Sequence, residues 1–222
     1  VIAMGLLGLN LKLVSSSLVW AAAGIAVLQV LIVLLLEPWQ IVEKTELLHI
    51  ERIYEYMFPL VAIFVMSQLF AEELEPEVSG WLMSLPFRSW KLLLYRYLLG
   101  MGMLAVLYLA GIMIIHYSVL PIPLQTFTYH VLPPALWLGH LAMLSSLIGR
   151  SDVIGLGVPM FYWVLETLTT GIMTGELYLF SDGFQEESAA LVWNRNMLLA
   201  LCAMALILSL LVFARRSYYI RR

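Results

Sequence analysis

Side chains capable of chemistry are sparse in this chain, and the one that stands most alone is Glu166. From 153 to 174 it is the sole Asp, Glu, Lys or Arg. A carboxylate near the centre of a lipid-embedded helix costs about 2.5–3.5 kcal/mol on insertion scales, so it must face a bundle interior, take up a proton or find a partner. Glu166 is therefore a candidate residue of a translocation pathway, with His140 as the second candidate and His116 as a further partner. A protonated Glu166 bonded to a neighbouring helix for structural reasons alone accounts for it equally well.

Catalytic signatures are absent. The histidines His49, His116, His130 and His140 show no His-Glu-x-x-His or other close ligand spacing, and no Gly-x-Ser-x-Gly occurs. No metal site and no catalytic residue are expected. Glu72 and Glu73 open like the Glu-Glu-x-x-x-Arg of intramembrane metal-dependent proteases, but Glu77 stands where the Arg should be. No G-x-x-x-x-G-K-[ST] is present, so any ATP, with its Mg, must be bound by a separate subunit. Cys202, the single cysteine, lies in an apolar run and reads as a free core thiol.

The elements that must position these residues follow from composition. Of 222 residues, 62% are hydrophobic and 12% charged, and mean hydropathy is +0.92, values that a water-exposed surface could not carry. The expectation is an all-α, polytopic membrane protein forming a single domain over 1–222. A net charge of −3, with a compact Lys/Arg cluster only at the C-terminal end, argues against nucleic acid as a partner. The order of segments that marks a cleaved leader is not found near Val1, so none is expected.

At about 20 apolar residues per helical crossing, six spans are expected, near 18–36, 54–72, 92–118, 131–149, 153–174 and 196–214. From 97 to 149 there is no charged residue, and one helix of that length would rise about 80 Å, so two crossings are needed. Pro121, Pro123, Pro133 and Pro134 mark the break between them. Within the fifth span, Gly155, Gly157 and Pro159 suggest close packing or a bend, and Gly171-x-x-x-Gly175 reads as a helix-packing motif.

With the N-terminus inside, Lys12, Arg88, Lys91, Arg96, Arg150, Arg215, Arg216, Arg221 and Arg222 are cytoplasmic, and only Lys44, Arg52 and Arg195 are outside. The positive-inside rule selects this topology, with both termini cytoplasmic. The outer loops then hold Glu37, Glu43, Glu46, Glu51, Glu55, Glu176, Asp182, Glu186 and Glu187. Residues 1–17, with Lys12 and the run Ser15, Ser16 and Ser17, read as a short interfacial helix followed by a helix restart, the alternative being a plain extension of the first helix.

Between the second and third spans lies EELEPEVSGWLMSLPFRSWKLLLYR, a Pro-punctuated segment that must sit in water at one membrane face. Pro76 and Gly80 break helix, while Trp81, Leu82, Met83 and Leu85 make a small apolar face that Pro86 closes. Such a face costs free energy unless a partner groove covers it, although an ordinary loop with Trp81 anchored among headgroups fits too.

An acidic end to the second span, then Gly80, an apolar triplet, Ser84, Pro86, Arg88 and Lys91, resembles the pattern of type-2 ABC transporter permeases, the membrane subunits of ATP-binding cassette exporters. The resemblance implies a six-helix subunit that pairs with a second permease chain, identical or related, and sits on separate ATPase subunits. It assigns 73–91 as the coupling segment, with Glu73, Glu77, Gly80, Trp81, Leu82, Met83, Leu85, Pro86 and Arg88 contacting the ATPase. Trp81 and Leu82 stand where that family often has Thr and Glu. It further implies a bacterial-type plasma membrane and export of a peptide, lipid-linked or drug-like substrate. The alternatives are a non-transporting sensor or scaffold that recruits a cytoplasmic protein through the same loop, and an intramembrane protease.

Overall fold

The computed structural model describes residues 17–70, 89–184 and 188–214. Among them the chain is all-helical, with six long helices: α1 Ser17–Leu35, α2 Leu47–Ser67, α3 Ser89–Ser118, α4 Leu124–Gly149, α5 Asp152–Thr169 and α6 Ala189–Ala214. Two short 3-10 turns, Gly175–Leu177 and Ser181–Gly183, lie between α5 and α6. The expected interfacial helix, the coupling residues from Glu73 to Arg88 and the basic C-terminal tail lie outside the described residues.

Four of the helices are long and apolar enough to cross a membrane, those covering Ser17–Leu35, Trp90–Ser118, Leu124–Gly149 and Ala189–Ala214. This chain is a membrane protein. Helix α2 carries Glu51, Arg52 and Glu55 in its first half, and α5 is only 18 residues long with Asp152 at its start and Glu166 near its end.

Neighbouring helices run in alternating directions. We call the end that carries the 36–46, 119–123 and 170–184 connections the upper end, and the opposite one the lower end. Exposed Trp20 and Trp90 stand at the lower starts of α1 and α3, whereas exposed Trp39, Tyr117 and Trp193 stand at the upper end. Two aromatic belts on an apolar body are what headgroup regions on either side of a bilayer select.

Burial explains the arrangement. Helix α2 is covered nearly all round from Phe58 to Ser67, the signature of a central helix. It packs most extensively on α4 and also touches α1, α3 and α5. Helix α3 is one-sided: Leu93, Leu104, Tyr108, Ile112 and Ile115 face inward at helical spacing, while Leu98, Val106, Leu109 and Ile114 face outward. With no water at that outer face, lipid replaces the polar side of a soluble amphipathic helix.

Small residues set two of the helix distances. A Cβ added to Gly139 would stand 3.3 Å from Ala62 Cβ and 3.1 Å from Met66 Cγ, which fixes how closely α4 approaches α2. One added to Gly155 would meet Ser146 Cβ at 2.6 Å, so α5 lies directly on α4 as the glycines suggested. A turn of two residues makes that possible. Arg150 takes the left-handed conformation (φ 53°) and its N–H donates to the Ser146 carbonyl, so the chain reverses at once into α5. An aromatic group of Tyr54, Phe58, Tyr108 and Phe127 joins α2, α3 and α4, with ring centroids 5.1–6.3 Å apart; Tyr54 meets Tyr108 and Phe127 edge to face, and Phe58 meets Tyr108 at a tilt.

Several expected boundaries are corrected. Helix α4 begins at Leu124, directly after Pro123, and runs through Pro133 and Pro134, which were expected to mark the break. Proline interrupts a ladder only where the freed carbonyls find no other donor, and packed neighbours and local adjustment supply them inside a membrane bundle. Helix α2 starts at Leu47 rather than 54, and α6 at Ala189 rather than 196. Helix α5 ends at Thr169, so Gly171 and Gly175 are turn residues with φ of 79° and 56° and form no helix-packing motif. A Cβ on Gly171 would also lie 2.8 Å from the Tyr178 ring.

Candidate functional site

The densest polar group in the described residues sits at the upper end, where three helices and one connection converge. It begins with Glu55 of α2 and Arg195 of α6. Arg195 Nη2 donates to Glu55 Oε1 at 2.7 Å, and the two side chains are 0% and 1% exposed. The other carboxylate oxygen, Oε2, accepts from the Ser181 backbone N–H at 2.9 Å and from the Ser181 hydroxyl at 2.7 Å. Arg195 Nη1 donates to the Leu179 carbonyl (2.8 Å) and to Asn194 Oδ1 (3.1 Å). Asn194 Nδ2 in turn donates to the carbonyls of Glu176 and Tyr178.

This is a clamp on the α5–α6 connection. Leu179 and Phe180 are fully buried, and the Phe180 ring stacks on Tyr56 at 4.0 Å. Tyr178 fits its ring against Gly171 and Gly183, where any Cβ would clash, and donates its hydroxyl to Asp182 Oδ1 at 2.8 Å. Burial, with Asp182 beside it, holds the Tyr178 hydroxyl above its usual range, so it remains a donor. The Tyr56 hydroxyl donates to Asp182 Oδ2, and Trp163 Nε1 donates to the Tyr56 carbonyl.

Beside the clamp, a cavity of ≈ 490 Å³ opens between the start of α2, the start of α4 and residues 181–184. Its walls include Glu46, Glu51, Arg52, His130, Asp182 and Phe184. His130 Nδ1 lies 3.6 Å from Glu51 Oε1.

Both Glu55 and Arg195 had been expected in outer loops. They are instead helix residues inside the protein, because each neutralises the other and the connection's backbone satisfies what is left. Arg96, expected at the cytoplasmic surface, is also buried, in the first turns of α3. Nothing in the sequence links residue 55 to residue 195. The single available signal was that Glu55 and Arg195 both border apolar runs long enough to extend over them.

The two pathway candidates are not brought together. Glu166 is fully buried in the last turn of α5, near the upper end and not at a helix centre, where its carboxylate faces the Thr174 hydroxyl and the Leu179 backbone without closing a well-formed hydrogen bond to either. His140 is buried in α4, where Nδ1 meets the Leu136 carbonyl at 2.7 Å and Nε2 meets the Tyr97 hydroxyl at 3.0 Å. With Nδ1 donating to a carbonyl, Nε2 is left as the acceptor for Tyr97. His116 donates to no acid; its Nδ1 accepts the Ile122 N–H at 2.9 Å and stabilises the α3–α4 turn. Cys202 is free and buried on α6. Among the described residues, no three His, Cys, Asp or Glu side chains stand close enough together to hold a metal ion.

Comparison with family models, with curated proteins and with solved structures finds no match to this chain.

Proposed function

We propose that this chain is the membrane-embedded permease subunit of an ATP-driven transporter of the type-2 ABC exporter kind, with all six long helices crossing the bilayer. The observation that supports the reading is that the end of α2 and the start of α3, which residues 71–88 join in the sequence, both lie at the lower end. Helices α2 and α3 correspond to the second and third spans of the resembling pattern, and the sequence between them holds its Gly80, Ser84, Pro86 and Arg88. Charge supports the orientation. Lys44, Arg52 and Arg195 are the upper-end Lys and Arg, against Lys91, Arg96 and Arg150 at the lower end and Lys12, Arg88, Arg215, Arg216, Arg221 and Arg222 in the sequence segments that adjoin it, so the positive-inside rule supports a cytoplasmic lower end in a bacterial-type cell.

In this reading a separate ATPase, holding ATP and Mg, docks on the 73–91 segment through Glu73, Glu77, Trp81, Leu82, Met83 and Leu85. Closure of the ATPase pair pushes that segment, and two permease chains rock to expose their shared interface to the other side. An apolar path between bundles suits a peptide, lipid-linked or drug-like cargo, and Glu166 and His140 mark the buried polar points nearest such a path. Deletion of 81–86 is expected to abolish copurification of the ATPase and cargo-stimulated ATP hydrolysis. Undiminished copurification from a chain that still inserts in the membrane excludes the docking role.

A further inference from the structure

The upper-end cavity contains an acid whose hydrogen-bonding capacity the protein leaves unused. Glu51 is 9% exposed, yet no group among the described residues donates a hydrogen bond to it. His130 Nδ1 at 3.6 Å is beyond hydrogen-bond reach. The neighbouring acids are different: Glu55 accepts from Arg195 and twice from Ser181, and Asp182 accepts from Tyr56 and Tyr178. The carboxylate of Glu51 opens into the cavity, so the donors its oxygens need must come from that space. The space against it, ≈ 490 Å³, falls within the range of small-ligand sites.

We infer that this cavity binds a small organic cation, a primary ammonium attached to an apolar body. The ammonium supplies three N–H donors for Glu51, and Asp182 adds negative charge to the same lining. Phe184 and Leu191 give the apolar surface for the rest of the molecule. A bare divalent ion does not fit, because no three ligating side chains converge there. An anion is repelled by Glu46, Glu51 and Asp182, which outnumber Arg52 and His130. The inference does not depend on transport, since it concerns the cavity alone.

The ammonium has two natural sources, a free amine or an ethanolamine headgroup of the surrounding lipid. The test is titration calorimetry of the full chain, in detergent micelles at neutral pH, with 2-phenylethylamine and with 3-phenylpropionate as the anionic counterpart. Saturable binding of the amine and none of the acid is expected, weakened about tenfold or more by Glu51→Gln. Thr126→Trp, a change at the exposed rim, is expected to block it as well. Should Glu51→Gln not give a monodisperse chain, Thr126→Trp decides alone. No amine binding, equal binding of the acid, or an amine affinity unchanged in the folded variants overturns the inference. Nanodiscs separate the sources: a weaker apparent affinity in phosphatidylethanolamine than in phosphatidylglycerol identifies the lipid headgroup as the occupant, and equal affinity identifies a free amine.

Discussion

Arg195 and Glu55 lie 140 positions apart in sequence and 2.7 Å apart in space, with neither side chain in contact with solvent. That one contact holds α2, α6 and the α5–α6 connection in a fixed relation. Removing either partner leaves an uncompensated buried charge, which costs about 3–5 kcal/mol. Glu55→Ala and Arg195→Ala are each expected to lower the thermal midpoint of the detergent-solubilised chain strongly, and to expose 170–184 to limited proteolysis. Because the residues act as a pair, the double variant should lose clearly less than the sum of the single losses. Additive losses would mean that the pair contributes nothing as a pair.

The glycines after α5 provide a test of their turn role. Gly171 combines a φ of 79° with a Tyr178 ring 2.8 Å from where a Cβ would sit, while Gly175 has a φ of 56° with open space around it. A left-handed residue with a side chain costs about 1–2 kcal/mol by itself. Gly171→Ala should therefore be the more damaging, with Gly175→Ala limited to the backbone cost. A helix-packing motif would instead make both changes disturb association between helices, as seen by crosslinking.

Helix α5 rests on α4 through the absence of a side chain at Gly155. Gly155→Ala places a Cβ 2.6 Å from Ser146 Cβ and 3.1 Å from the Ala142 carbonyl, and overpacking of this kind costs about 1–3 kcal/mol. Ser146→Gly in the same chain should recover part of that loss. Gly157→Ala, with nothing within 4 Å, should be silent. Thermal midpoints of the four chains check the ranking.

The α1–α2 connection should respond to acid. Glu37 Oε1 accepts the Thr45 N–H at 2.7 Å, and this bond to the Thr45 backbone is the main reason its carboxyl titrates below the ordinary carboxylate range. A lowered value in the folded protein means that the contact is complete above the ordinary range and is lost as pH falls through the lowered one. Trp39 fluorescence, followed through an acid titration, should report that loss below the ordinary range. In Glu37→Gln the step should disappear.

Glu166 is a residue for which charge and structure can be separated. Its oxygens face only the Thr174 hydroxyl and the Leu179 backbone, with no well-formed hydrogen bond and no cation among the described residues, so Glu166→Gln, which keeps an acceptor oxygen there, should leave the thermal midpoint unchanged or raise it. A fall of several degrees would indicate a charge-dependent contact. Measured in the complete transporter, the same variant distinguishes a pathway role, which loses transport, from a structural one, which retains it.

How much of this was legible beforehand varies from element to element. The charge-free run of α1 and the length of the run from 97 to 149 were sufficient to place α1, α3 and the end of α4 within a few residues, because lipid demands continuous apolar helix and little else competes with that demand; the start of α4 was placed at 131, seven residues after Leu124. The starts of α2 and α6 were placed too late for one reason. Glu51, Glu55 and Arg195 were assigned to the outer loops as charges, whereas burial depends on whether a partner arrives. Pro133 and Pro134 misled in a similar way: their missing N–H groups are a local fact, and whether they break the helix depends on its neighbours.

The sequence by itself determined that this chain is a helical membrane protein, because burial of apolar surface and satisfaction of backbone groups in lipid depend on composition and run length. It also determined the order of the helices and the acidic character of one end. Only the tertiary structure decided which charges meet, that Glu166 and His140 stay apart, that Gly171 and Gly175 turn the chain, and that Glu51 faces a cavity. Those are relations between distant positions, and electrostatic and packing energies fall off over a few ångströms of space regardless of how many residues lie between.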